Sequence, residues 1–385
     1  MPFFPALYLY RPQCAIIRAI KPFSIAHRDV FFDEKSVLPW QEIIPSKRGM
    51  ITIPMDDTKH GSAVLEAYIE KARELFVREP TNPILKPADM PIACKAVCNP
   101  AAHQVGGEVL LLLRVIDNTN RSHLFVARSA DGVGGWRLEP NALLSPDDPD
   151  AGWYDNYGCE DARITYLEER GEYIITYVGY SRYGAGVCHA ATKDFQSAKR
   201  LGMAIHPYNK DAVLFPRKIG GKYRMLHRPT SGPLENIWIS ESDDLMAWGS
   251  PRCVLEEAQQ PGWDSGKVGA GPPPVETEDG WFLIFHGVKL MENGWEYRVG
   301  LALLDRDDPS KIVSRWPEWV FGPQEPYEMR GAAPGVVFPT GLVIKDNTLF
   351  IYYGAADTTV GLATAKTEIL RDFKRSAQAA LNTGV

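Results

Sequence analysis

The sequence predicts an all-β protein, and three observations carry that reading. A tight turn followed by an apolar run rich in aromatic and β-branched residues recurs five times: GGEVLLLLR ending at Arg114, RGEYIITY at Tyr177, GGKYRMLHR at Arg228, EDGWFLIFH at His286 and KDNTLFIYY at Tyr353. Each has the form of a buried strand. A second phrase follows each first one: LFVARSADG, VCHAATKDF, IWISESDDL, VGLALLDRDD and VGLATAKTEI. It places a small residue at 127, 190, 240, 302 and 363. Helical periodicity, the third observation, is confined to the flanks. Five copies at intervals of about 50 to 65 residues, all strand and turn, predict a five-bladed β-propeller with flanking helices. A two-sheet sandwich would not repeat both phrases in the same order.

Taken in order, residues 1–49 read as an extension outside the core domain. The opening MPFFPALYLYRPQCAIIRAIKPF is apolar, but Pro2, Pro5, Pro12 and basic residues at 11, 18 and 21 interrupt it well short of a membrane span. It also lacks the flanks of a secretory signal. The alternative is an over-long start, with Met50 or Met55 as the true first residue. Residues 50–385 are expected to form the five-bladed propeller domain with its flanking helices. Within it, 61–77 has apolar residues at three- and four-residue spacing and predicts a helix that could serve a homo-oligomeric contact. The five strand pairs follow, and 367–382 predicts a closing helix.

At 385 residues and 45% hydrophobic, the chain can bury a large core. A net charge of -6 offers no basic field for nucleic acid or anionic membrane. Six scattered cysteines without a CxxC pair suit reduced thiols in a cytoplasmic protein, and no His or Cys grouping has zinc spacing, so no metal or cofactor is expected. GVGGW at 132–136 lacks the ending of a phosphate loop.

In a propeller the inner strand ends line a central funnel. The polar residues that close the repeated strands, Arg114, Arg228, His286 and Tyr353, should therefore converge, joined by Asp161 at the start of its own blade. A buried arginine or histidine is costly without a polar or anionic partner, so the convergence points to a polar ligand. Taken singly, each residue has a plainer reading: Asp161 as a turn carboxylate, His227 and Arg228 as a core pair, His286 as a bonded core histidine, Lys267 as a surface lysine. Trp238, Trp263, Trp281 and Trp295 read mostly as blade core.

Several longer stretches are similar to one family. CNPAA (98–102), GCEDARIT (158–165), NKDAVLFPRKIGGKYRMLHRP (209–229), WDSGKVGAGPPPVETEDGWFLIFHGV (263–288), EYRVGLALLD (296–305) and YYGAAD (352–357) resemble glycoside hydrolase family 130, in order, from about residue 80 to 370. The resemblance implies inverting β-mannoside phosphorylases, with a smaller set of β-mannosidases, on a five-bladed propeller. It implies Asp161 as general acid, with the proton passing through the mannose 3-hydroxyl. It also implies a mannose subsite from Asn99, Arg114 and Asp357, and a phosphate pocket from Arg228, Lys267 and His286, with Tyr297 close by and Lys210 as a further candidate. Ala162 stands where family members often carry Pro.

The expected activity is therefore cleavage of a β-mannosyl linkage, of the β-1,4-mannooligosaccharide type, by inorganic phosphate as co-substrate, giving α-mannose 1-phosphate. Phosphorolysis needs one general acid and an anion pocket opposite it, whereas an inverting hydrolase needs a second carboxylate roughly 6.5 to 9.5 Å away. Glu241 and Glu296 are the candidates for that second role; a β-1,2 or β-1,4 mannosidase and a non-catalytic glycan-binding propeller are the rivals. Linkage should rest on rim loops at 182–186, 231–236 and 322–333. If 160–163 were extended, Asp161 and Arg163 would share a face, and an adjacent guanidinium would weaken the acid. A local bend is expected to pair Arg163 with Glu160 or a backbone carbonyl and leave Asp161 free.

Overall fold

The computed structural model describes residues 75–371 apart from 233, 260 and 293, residue 373, and the backbone of 43–46 and 49–52. The chain divides into two units, Met1–Ser62 and Ala63–Val385. In the first, Ile43–Ser46 pairs antiparallel with Gly49–Thr52. The rest of the extension and residues 61–74 of the helix expected over 61–77 lie outside the described residues. Val77, expected to end that helix, instead begins the short strand Val77–Arg78. Residues 368–371 and 373 are helical, and the remainder of the helix expected to 382 lies outside the description.

The second unit is all-β, in five successive antiparallel groups. The first comprises Cys94–Val105, Glu108–Asp117, Ser122–Ser129 and Arg137–Leu144; the second comprises Gly158–Leu167, Glu172–Ser181, Gly184–Thr192 and Lys199–Ile205. One parallel bridge, Ser122 to Gly158, joins these two groups. The third comprises Asn209–Leu214, Tyr223–Pro229, Ile237–Ser242 and Gly249–Leu255. In the fourth, Lys267–Ala270 and Val275–Thr277 share one long neighbour, Gly280–Met291, which pairs on with Gly294–Leu304 and then Ile312–Arg315. The fifth runs Val337–Lys345, Thr348–Ala355, Thr359–Lys366 and takes its outer strand, Val77–Arg78, from the start of the domain.

Both repeated phrases form the second and third strands of these groups. Their register explains the small residues. Ala127, Ala190, Ser240, Ala302 and Ala363 lie opposite Leu111, Ile175, Met225, Leu283 and Ile351. All five small residues are buried, so a large residue on the second strand is accommodated by a small one across the ladder. Five apolar clusters hold the groups together. One joins the first and second groups through Leu110, Leu124, Ile164 and Tyr177, the next the second and third through Leu167, Val187 and Met225. Val213, Leu226, Trp281 and Leu283 join the third and fourth; Phe282, Leu301, Leu349 and Tyr353 join the fourth and fifth. The last cluster, with Leu111, Leu113, Val343 and Tyr352, packs the fifth group on the first.

A shared irregularity in the first strands positions the functional residues. The ladder slips between Cys98 and Ala101, between Glu160 and Arg163 and between Lys210 and Val213. The residue at each slip, Asn99, Asp161 or Asp211, has positive φ of 47°, 47° and 51°. Asn and Asp tolerate that region better than other residues with a Cβ, and a bulge re-aims the side chain it carries. Three groups thus turn one polar side chain each toward the same place.

Candidate active site

That place is a cavity of about 310 Å³. The first and second groups contribute Asn99, Arg114 and Asp161, and the fifth contributes Asp357. Lys210, Asp211 and Arg228 come from the third group, His286 and Tyr297 from the fourth, all in the same wall. Eight of the nine residues expected in the site therefore converge. Lys267 stands just outside the wall, its ammonium over the rings of Trp295 and Tyr297 at 5.1 and 5.3 Å. Tyr353, expected in the funnel, is instead buried in the core. Its hydroxyl donates to Glu328 at 2.8 Å, and Asp357, just beyond the strand end, takes its place in the cavity.

Asp161 is not free. Its Oδ1 accepts from the Asn99 amide at 2.7 Å and from Arg114 Nη1 at 2.9 Å. Arg114 also meets Glu160 at 2.9 Å and donates from Nε to Ser122 at 3.0 Å. Arg163 behaves as expected in one respect: it bonds only to carbonyls, of Gly271 at 2.7 Å, Asp161 at 2.8 Å, and Ala162 and Ala270 both at 3.3 Å. The slip in the strand separates its side chain from the Asp161 carboxylate. Arg114, and not Arg163, is thus the guanidinium on Asp161 and also the partner of Glu160. Burial opposes ionisation of Asp161, yet the Arg114 charge and the Asn99 amide outweigh it and hold the carboxyl below its ordinary range. Asp357 shifts the other way, raised by burial and by the neighbouring Asp161 charge.

On the opposite side, Arg228 lies 3.0 Å from Asp211 and 3.3 Å from Glu235. His286 sits 3.4 Å from Asp211 and 3.5 Å from Arg228. A Cβ at Gly269 would overlap both the Asp211 carboxylate and the His286 ring, so glycine there permits their contact. Burial pushes His286 down to about 4, with Arg228 and Arg163 adding to the effect against the pull of Asp211. His286 is therefore a neutral hydrogen-bonding group at pH 7. It stacks on Tyr297 at 5.7 Å and meets the Phe338 ring edge at 4.7 Å. Burial, then Arg228, lowers Lys267.

Asp211 was missed in the sequence. Its signal is the shared form of the bulged first strands, polar residue then Pro or Ala, in Asn99-Pro100, Asp161-Ala162 and Asp211-Ala212. The Arg114 to Glu160 pair joins two groups, and Phe338 reaches the wall from an element distant in sequence; neither had a local signal. Trp295, read as blade core, is instead half-exposed and lines the cavity. Among the described residues two polar atoms here, Asn99 Oδ1 and His286 Nδ1, are buried with neither a hydrogen-bond nor an ion-pair partner. Unspent donors and acceptors on both sides of one cavity suit a ligand with hydroxyls and an anionic group.

Carboxylates paired with guanidinium groups on both sides, with Lys210 and His286 in the same wall, make the cavity a site for a small polar ligand. The chain belongs to glycoside hydrolase family 130, whose model, described as beta-1,4-mannooligosaccharide phosphorylase, matches residues 75–375, and it is a glycoside phosphorylase. It is 36% identical over 304 residues to the 1,2-beta-oligomannan phosphorylase of Thermoanaerobacter sp. (strain X514), covering 76% of this chain and 97% of that one. Identity to the beta-1,4-mannooligosaccharide phosphorylase of Ruminococcus albus is 32% over 315 residues, covering 79% and 92%. Among solved structures, the beta-1,2-mannobiose phosphorylase of Listeria innocua in complex with beta-1,2-mannobiose matches with a TM-score of 0.69 at 30% identity, covering 77% of this chain and 98% of that one.

Proposed function

We propose that the protein is an inverting β-mannoside phosphorylase built as a five-bladed propeller. The propeller is supported by the five apolar clusters, each between successive groups and the fifth between the last group and the first. The observation that carries the reaction is the division of the cavity. Asn99, Arg114 and Asp357 would seat the mannosyl unit against Asp161. Arg228 and Lys210, with His286 as a neutral donor and Lys267 behind Tyr297, would receive inorganic phosphate on the other side. Asp161, ionised in the empty site, takes a proton from dihydrogenphosphate as the substrates bind and gives it to the leaving oxygen through the sugar hydroxyl, while an oxygen of the resulting hydrogenphosphate bonds to the anomeric carbon as the glycosidic bond breaks. The products are α-mannose 1-phosphate and the shortened glycoside.

Hydrolysis is less well supported. Glu241 is paired with Arg224 and Glu296 with Arg298, and neither lines the cavity. Of the carboxylates that do, Asp211 is held by Arg228 and depressed far below the range of a useful base. For the linkage, the higher identity to the 1,2-oligomannan enzyme favours β-1,2, while the family description favours the β-1,4 type expected from sequence. One assay tests all of this: incubate with β-1,2- and β-1,4-mannobiose, with and without phosphate, and follow mannose and mannose 1-phosphate separately. Mannose 1-phosphate that requires phosphate is the expected result; free mannose at an equal rate without phosphate overturns it.

A further inference from the structure

We propose that a fixed aromatic wall on the rim of the second group, built around Trp153 and Tyr183, holds sugar units beyond the cleaved linkage, making this an enzyme of oligosaccharides more than of disaccharides. The proposal rests on the phosphorylase reading and adds a substrate class to it. A cavity of about 310 Å³ is at the small end of ligand sites, so the rest of a longer substrate must run over the rim.

Trp153 and Tyr183 are 59% and 53% exposed, their rings meeting edge to face at 5.6 Å. Arg182 covers Tyr183 at 5.2 Å. Tyr183 sits in the turn between Glu172–Ser181 and Gly184–Thr192, and Glu160, next to Asp161, lies opposite Val178 in the ladder of Gly158–Leu167 with Glu172–Ser181. From Val178 to Ser181 the strand climbs ~10 Å, about two linked sugar rings above the acid. The turn with Tyr183 thus follows a strand that pairs directly with the strand carrying the acid.

Exposed aromatics on mobile loops would be unremarkable, but the loop that carries Trp153 is pinned. Arg200, 4% exposed, bonds Asp155 at 2.8 Å, Asp150 at 2.7 Å, Asp148 at 3.0 Å and the Ser145 carbonyl at 2.7 Å. Tyr177 donates to Asp155 at 2.8 Å, and Asp155 accepts from the Gly152 amide at 2.7 Å. Trp153 is thereby held in place while its ring stays open to water, an arrangement that contributes little to folding and lowers the ordering cost of binding. Flat, partly polar sugar rings stack on such faces.

The test compares mannobiose, mannotriose and mannotetraose, in the linkage the wild type accepts, for wild type, Trp153→Ala and Trp153→Ala/Tyr183→Ala. KM should fall with chain length in the wild type. The variants should raise KM for the tetraose about ten-fold while KM for mannobiose and kcat stay within two-fold. A wild-type KM that ignores length, or variants that raise KM for all lengths alike, overturns the wall. So does a change in solution mass by sedimentation without a change in tetraose KM, which marks an interface between copies. If the wild type forms no mannose 1-phosphate from any substrate, it is the phosphorylase reading that fails. The wall is then judged by tetraose binding followed through intrinsic fluorescence and calorimetry: affinity lost in the double variant upholds it, and affinity retained overturns it.

Discussion

Asp211 shows how one buried charge organises a site. It faces Arg228 and His286, and burial, which opposes its ionisation, is outweighed first by the Arg228 charge, so its carboxyl lies well below the usual range. Its folded pKa is below the ~3.9 of an unfolded Asp. Its stabilisation is therefore fully present above that pH and is lost as pH falls below it toward the folded value. Asp211→Asn should cost about 3–5 kcal/mol at pH 7, since it leaves a buried guanidinium short of its partner. Urea unfolding at pH 7 and at pH 3 checks both claims: the gap to wild type should narrow at the lower pH. Asn99 acts on catalysis instead. Its amide favours the ionised form of Asp161, so Asn99→Ala raises the acid's pKa and should move the alkaline limb of kcat/KM against pH upward. An unmoved limb would remove Asn99 from control of the acid.

At the scale of the strand, the small residues of the third strands are the sharpest constraint. Ala302 lies opposite Leu283, fully buried in the cluster between the third and fourth groups. Ala302→Leu should destabilise by about 1–3 kcal/mol through overpacking. Val313→Ala, on an outer strand and 39% exposed, should stay within about 0.5 kcal/mol. Thermal unfolding of the pair separates a packing constraint from a general intolerance of substitution. The bulges are the complementary feature: they sacrifice ladder bonds in three first strands, and each turns a polar side chain into the cavity.

For the whole molecule, the fifth group depends on a strand from the other end of the domain. Val77–Arg78 pairs with Thr364 and Ala363. Arg78 reaches Glu328 through Nε and Nη2, both at 2.8 Å, and Glu328 is fully buried. Arg78→Ala should cost about 3–5 kcal/mol by leaving that carboxylate without its cation. The loss should be cooperative, read by chemical denaturation as a lower midpoint with an unchanged slope. A variant within about 1 kcal/mol of wild type would show that the closing strand is held by its backbone alone.

The sequence by itself determined the strands, because turn residues and aromatic, β-branched runs are local signals. Ten of them, in five ordered pairs, were legible, as were eight of the residues that line the cavity. Tertiary structure decided which partner each charge meets. Asp161 is set against Arg114 and not Arg163 because a one-place slip in the ladder turns its side chain, and spacing along an extended chain cannot register a slip. His286 is neutral because of how deeply it is buried, and Asp211 matters because Arg228 and Gly269 arrive from other strands. Which groups share a low-dielectric cavity is a property of packing, and packing sets the charge states on which the chemistry depends.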